Sequence, residues 1–329
     1  MKNKFAGFLI RVSISLAFIG GISYLMRDKL GDAAVTLRHG VSWQWFYAGI
    51  GIYFLAQFFL SLRFYYLLKV QNVPVRFWDV WQLNFTGLFF NLFLPSAVGG
   101  DVAKAYYIAQ RSGSTVKATT CVVQDRLVGF VAMLALAVTA VLFSSGMVPA
   151  QGVIPLLVAG IFFTGLMIFF FAHKPFARIF RGLLNLVPFP KVRKLLADLY
   201  HAIHGYRHHK KILLAGLGLS WISQSIFILL HYLMALALGV SSPLEYYFLV
   251  VPISCFISMA PSLGGVGVRE AGILFFLNRI MPAEKALALS LLVSAIIYGF
   301  SLAGGLVFAV RGGLKKDGVL EKNEGACTS

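Results

Sequence analysis

Apolar residues recur in long blocks separated by short polar connectors. Six blocks are long enough to cross a bilayer core, which takes about 20 helical residues. They are 5–25, 43–68, 119–143, 153–172, 212–238 and 285–310. Two further blocks behave differently. Residues 79–94 run into Pro95-Ser96-Ala97-Val98-Gly99-Gly100-Asp101, and residues 244–260 run into Pro261-Ser262-Leu263-Gly264-Gly265-Val266-Gly267. A short second segment follows each break, over 101–111 and 268–281. A helix as short as the first is only about 16 Å long, about half the hydrocarbon core. The pattern predicts an all-α integral membrane protein with six full transmembrane helices and two re-entrant, broken helix hairpins.

Composition agrees. The chain has 329 residues, 59% of them apolar and 12% charged, against about 25% charged in an ordinary soluble domain. Mean hydropathy is +0.80. These values exclude a soluble globular domain, a disordered chain and a disulfide scaffold. Cys121, Cys255 and Cys327 form no motif. The basic start, Met1-Lys2-Asn3-Lys4-Phe5, followed by an apolar run to Tyr24, reads as an uncleaved first span rather than a signal peptide.

The net charge of +17 serves orientation rather than nucleic-acid binding. Residues 173–211 carry nine basic groups and one acid, Asp198, which places that segment in the cytoplasm. The uncharged connections 144–152 and 239–243 are then external. Lys2 and Lys4 put the N-terminus inside, and Arg311, Lys315 and Lys316 put the C-terminus inside. Six crossings satisfy these constraints if each hairpin returns to the side it came from. A single transmembrane domain over 1–314 follows, with a polar tail over 315–329. Within 174–211, Phe176, Ile179, Phe180, Leu183 and Leu184 alternate with the basic groups, as in an interfacial amphipathic element. His201, His204 and His208 share a helical face there, without an acid or a cysteine. A solvated basic face is expected, and no metal site.

The blocks also repeat. Span 43–68, hairpin 79–111 and span 119–143 form one unit. Span 212–238, hairpin 244–281 and span 285–310 form another. One span separates them, so the second unit is inverted. Both breaks read Pro-Ser-x-x-Gly-Gly or close to it. Inverted repeats with broken helices mark transporters, and the breaks mark the binding site.

The chemistry near the breaks suits an anion. Irregular backbone at membrane depth is tolerated where it is buried or faces water. Helix N-termini offer free N–H groups and about half a positive charge. The candidate binding residues are Ser96, Gly99, Gly100, Asp101 and Lys104 at the first break, with Asn91 before it. At the second they are Ser262, Gly264, Gly265, Arg269 and Glu270. Asp101 stands where an N-cap belongs. Asp125 and Arg126 lie in span 119–143, where ionisable groups are costly and face an interior or a cavity; a bland reading has them pair with each other. Asn84, Asn91 and Gln124 can hydrogen-bond between helices. No P-loop, G-x-S-x-G or H-E-x-x-H motif occurs, so neither an ATPase nor a cofactor is expected.

At PSAVGGDVAKAYYIAQRSG (95–113) and PSLGGVGVREAGILFFL (261–277) the chain resembles the lysylphosphatidylglycerol synthase transmembrane-region family. That family is the membrane half of the bacterial multiple peptide resistance factor. The Asp125-Arg126 pair and the run Gly267-Val268-Arg269-Glu270 belong to the likeness, which spans nearly the whole chain. The resemblance implies flippase-like transport. In the resistance factor the membrane region moves aminoacylated phosphatidylglycerol to the outer leaflet, and a fused cytoplasmic domain makes that lipid. Relatives lacking that domain are associated with phospholipids, hopanoids or polyprenyl-linked sugars. The expectation is a lipid translocase of a bacterial inner membrane, with an anionic membrane lipid as substrate. An integral-membrane transferase acting on a lipid phosphate and a small-anion transporter are the alternatives. A homo-oligomer or a lipid-synthesising enzyme partner stays open.

Overall fold

A computed structural model describes residues 35–38, 40–93, 99–143, 209–257 and 268–310, with the isolated positions 158, 161, 162 and 165. The expected span 5–25 lies outside the described residues, as do nearly all of 153–172 and of the basic segment 174–211. Among the described residues the protein is all-helical, without strands. Four helices are long and apolar enough to cross a membrane. They are α1 (Trp43–Val70), α4 (Thr115–Phe143), α5 (Lys210–Ala237) and α8 (Ala283–Val310). Between them lie two pairs of shorter helices, α2 (Phe77–Phe93) with α3 (Gly99–Ser112), and α6 (Leu244–Ile257) with α7 (Val268–Leu277).

Each short pair folds back on itself. Along α2 and α3 the partners run in opposite senses. Asn91 Oδ1 meets Gly100 N–H, Asn84 meets Lys104, and Asp79 meets Arg111. Glycine allows the closest point of this hairpin, because a Cβ on Gly100 would collide with the Gly87 carbonyl oxygen. Gly113, at φ +65°, occupies the left-handed region that a side chain disfavours and turns the chain directly into α4. In the second pair the Tyr246 hydroxyl donates to the Phe276 carbonyl, 2.9 Å away.

Helices α1 and α5 pack antiparallel. The amide of Ser42, before α1, donates to the last carbonyl of α5, Ala237, at 2.7 Å, and Tyr53 lies against Phe227. The first helix of each hairpin packs more on a span of the other half than on one of its own. Helix α2 lies on α8, where Phe85 stacks on Phe300 and Phe89 on Phe308. A Cβ on Gly304 would strike the Phe85 carbonyl. Helix α6 packs on α4 in return. Exchanging α1 with α5, α2 with α6, α3 with α7 and α4 with α8 pairs most helix–helix contacts with one another, although α4 packs on α5 far more extensively than α8 does on α1.

Two apolar cores result. The larger joins α4, α5, α6, α7 and α8 around Tyr247, Leu230, Met234, Leu249 and Leu277. The smaller joins the ends of α1 and α4 to the first hairpin through Phe64, Leu68, Val80, Leu83, Ile108 and Cys121.

Candidate functional site

Among the described residues, five ionisable groups collect where the first hairpin meets α1 and α4, with Arg63 and Asp101 buried; Glu270 and His231 are buried elsewhere. Helix α3 begins at Gly99, so Asp101 occupies its first turn rather than the capping position. There it has a stronger partner than a backbone amide: Arg126 Nε donates to Asp101 Oδ2 at 2.6 Å. The amide that a cap would satisfy is served from the facing helix, where Asn91 Oδ1 accepts from Gly100 N–H at 2.6 Å. Asn91 therefore fastens the hairpin near its tip, and part of the helix terminus is already occupied.

Asp125 and Arg126 do not pair with each other. Successive helical residues point about 100° apart and do not face one another. Asp125 turns instead toward α1, where Arg63 Nε donates to its Oδ1 at 2.8 Å. Arg126 turns toward α3. The adjacent residues thus tie α4 to two different helices. Arg63 also donates through Nη1 to Ser220 Oγ of α5, at 2.8 Å. One guanidinium therefore joins three helices, and its side chain is only 6% exposed.

Lys104, one turn beyond Asp101, donates to Asn84 Oδ1 at 2.8 Å and lies over the Phe64 ring. Asn84 in turn donates to Gln57 Oε1 of α1 at 2.9 Å. Among the described residues Lys104 forms no ion pair; its ammonium rests on a neutral amide and an aromatic face. It still feels Asp125, Asp101, Arg126 and Arg63 electrostatically. Among the described residues three cations (Arg63, Lys104, Arg126) thus meet two carboxylates (Asp101, Asp125), one positive charge in excess. Arg126 is 43% exposed although ion-paired. By helical rise it lies about 16 Å from the start of α4. An exposed arginine at that depth presents charge to whatever fills the adjoining space, since a lipid-facing one would be costly.

Of the residues singled out from sequence, Asn91, Gly99, Gly100, Asp101, Lys104, Asp125 and Arg126 come together. Glu270 belongs to another set of bonds. It is buried at the start of α7 and accepts from Ser294 Oγ of α8 at 2.6 Å. Arg269 stands in the first turn of α7, with only its backbone described. Ser96, Ser262, Gly264 and Gly265 lie outside the described residues, as do His201, His204 and His208. Among the described residues no group of three or more His, Cys, Asp or Glu gathers to hold a metal.

Sequence reasoning missed Arg63, Ser220 and Gln57. A signal existed for Arg63. It sits seven residues before the end of α1, and Asp125 sits ten residues after the start of α4, from the same end of the bundle. Opposite charges at matched depth in different spans are candidates for one another.

The family model described as lysylphosphatidylglycerol synthase TM region matches residues 8–305. Comparison with curated proteins and with solved structures returns no match.

Proposed function

The chain belongs to the lysylphosphatidylglycerol synthase transmembrane-region family, and from that premise we propose that it is a lipid translocase. Its cargo would be a phosphate-bearing lipid, a phospholipid or a polyprenyl-phosphate-linked lipid, crossing a bacterial cytoplasmic membrane. The observation that carries the proposal is the excess positive charge where Lys104 and the Arg126–Asp101 pair meet at the first hairpin. A phosphodiester carries one negative charge and would balance it. Lys104 and Arg126 hold the phosphate beside the start of α3, whose N-terminus favours an anion. Ser96, Ser262, Gly264, Gly265 and Arg269 complete the site from the two breaks. Glu270 and Asp101 balance charge or receive an amine. The acyl chains stay in the bilayer.

The exchange symmetry of the helix contacts supports two inverted-topology repeats whose hairpins re-enter from opposite sides, within a frame of six full spans. Alternating access then moves one half against the other around the site. Charge supports the orientation. Lys69, Arg76, Arg111, Lys117, Lys210 and Lys211 stand with Asp79 at one end of the bundle, and Arg38, Arg279 and Lys285 with Glu245 and Glu284 at the other. The first end is cytoplasmic by the positive-inside rule, and both termini of the chain follow it there.

The test is transfer of fluorescent phosphatidylglycerol between leaflets of proteoliposomes, read by quenching from outside. The wild-type protein should transfer it, and Lys104→Gln should slow transfer by about tenfold or more, the order of one charge–charge contact even when it is largely screened by water. Equal transfer by a folded Lys104→Gln protein would sink the reading. Mass spectrometry of the recovered lipid separates the alternatives, because a transferase changes the lipid's mass and a translocase leaves it unchanged.

A further inference from the structure

Arg63 is buried between three helices, bonded to Asp125 and Ser220. The simplest role for it would be to fasten α1 to α5. The molecule itself argues against that being its whole purpose, because it builds the same joint a second time without charge. Gly216 of α5 receives the Arg63 stem and Val128 of α4, whose atoms lie 3.9 and 3.6 Å from where a Cβ would be. At the equivalent place, Gly49 of α1 receives Leu230 of α5 and Ile296 of α8. The correspondence is in register: 216 − 49 and 230 − 63 both equal 167, and 296 − 128 equals 168. Leucine therefore closes at one end of the helix pair what arginine closes at the other. Closing the pair does not require a guanidinium, and burying one carries a desolvation cost.

The charge has a different effect. Asp125 and Asp101 both act electrostatically on the Lys104 ammonium. Arg63 holds Asp125 at 2.8 Å. A Cβ on residue 129 would press on Arg63 Nη1 at 3.1 Å, so Gly129 keeps the seat open. We propose that Arg63 is a positioning residue of the anion site: by engaging Asp125 it withholds that carboxylate from Lys104 and preserves the one positive charge in excess that a phosphate oxyanion neutralises. The proposal rests on the reading of this cluster as a phosphate site.

Charge bookkeeping makes it testable. Arg63→Gln brings the cluster to two cations and two carboxylates, with no excess. Arg63→Gln/Asp125→Asn brings it to two cations and one carboxylate, restoring the excess without Arg63. Arg63→Lys keeps the charge and loses the fork. The full-length protein is purified in mild detergent, and phosphatidylglycerol retained from a mixture with phosphatidylcholine is titrated by native mass spectrometry. Arg63→Gln should bind phosphatidylglycerol about tenfold more weakly, the order of one charge largely screened by water. Arg63→Lys and the double variant should both bind within about threefold of wild type, because they keep the net charge. A merely structural bridge would make binding follow thermal stability rather than net charge.

A folded Arg63→Gln protein that binds like wild type overturns the proposal, as does a folded double variant that binds as weakly as Arg63→Gln. If Arg63→Gln does not fold, the double variant decides alone: wild-type affinity supports the proposal and lost affinity overturns it. Lys104→Gln separates the two levels. If it binds like wild type, the phosphate reading itself fails. If it loses the lipid while Arg63→Gln keeps it, only the role of Arg63 fails. Competition by inorganic phosphate identifies the source of the oxyanion. Displacement marks free phosphate and persistence marks a lipid head group, and the role of Arg63 holds for either.

Discussion

The two hairpins rest on beds of opposite character. The first lies against charge: Asp101 on Arg126, Lys104 on Asn84, and Asp125 on Arg63, beside a small apolar core. The second lies on the larger core, around Tyr247, Leu249, Ile273 and Leu277, and its described ionisable contacts include Glu270 with Ser294 and Arg279 over the Phe275 ring. Equivalent backbone arrangements therefore carry unequal chemistry. An apolar bed is the cheaper way to hold helices together, since each buried aliphatic side chain contributes about 1.5–3 kcal/mol. Buried ion pairs often contribute little net stability. Among the described residues the ion pairs gather at the first hairpin.

This contrast can be broken by substitution. The largest effect is expected at Arg63→Leu, which leaves Asp125 without its buried partner and should cost about 3–5 kcal/mol. Thermal unfolding in detergent would show it. Adding Asp125→Leu should recover much of that loss, because it converts the charged joint into the apolar kind found at Leu230. A double variant no more stable than the single one would mean the two joints are not equivalent. Next comes Leu230→Ala, which opens a cavity in the larger core and should cost about 2–5 kcal/mol. Gly49→Ala follows at about 1–3 kcal/mol, because its new methyl group meets Met234 Cε and presses on Leu230 Cδ1. Gly216→Ala, with only ordinary contacts waiting, should be neutral or slightly stabilising, and equal losses at the two glycines would contradict the difference in seating. The smallest effect belongs to Asp79→Asn. Its partner Arg111 is 31% exposed, and such pairs contribute about 0–1 kcal/mol, with a dependence on salt that melting curves at two ionic strengths would reveal.

Much of this frame was legible in the sequence. The span expected at 43–68 is the helix Trp43–Val70, and that at 212–238 is Lys210–Ala237. Length and hydropathy suffice there because lipid demands a continuous apolar helix. The first break was legible because Pro95 and the glycine pair interrupt an otherwise unbroken apolar run. Partner choice was not legible. Asp125 beside Arg126 looks like a pair in one dimension, and the angular step of a helix sends the two apart. Arg63 was hidden in a span with tyrosines near its end, where a basic residue ordinarily reaches for the head groups. Only the meeting of α1, α4 and α5 gives it another use. The seats at Gly49 and Gly216 carry no local signature, since a glycine in an apolar helix does not announce what packs on it.

The seating of α2 and α6 on the opposite half has a consequence for biosynthesis. Phe85 finds Gly304 across about 220 residues of chain, and at about 5–20 residues per second a ribosome needs about 10–40 s to deliver α8. Phe77 and Trp81 already lie on α1, against Phe54, Phe58 and Tyr65, but until then Phe85 and Phe89 lack their seat on α8 and must be shielded by lipid or by the insertion machinery. The second hairpin meets no such delay, because α4 is already in place when α6 emerges. The two halves, alike in their contacts, are therefore assembled in unlike circumstances, and the charge-bearing hairpin is the one that waits.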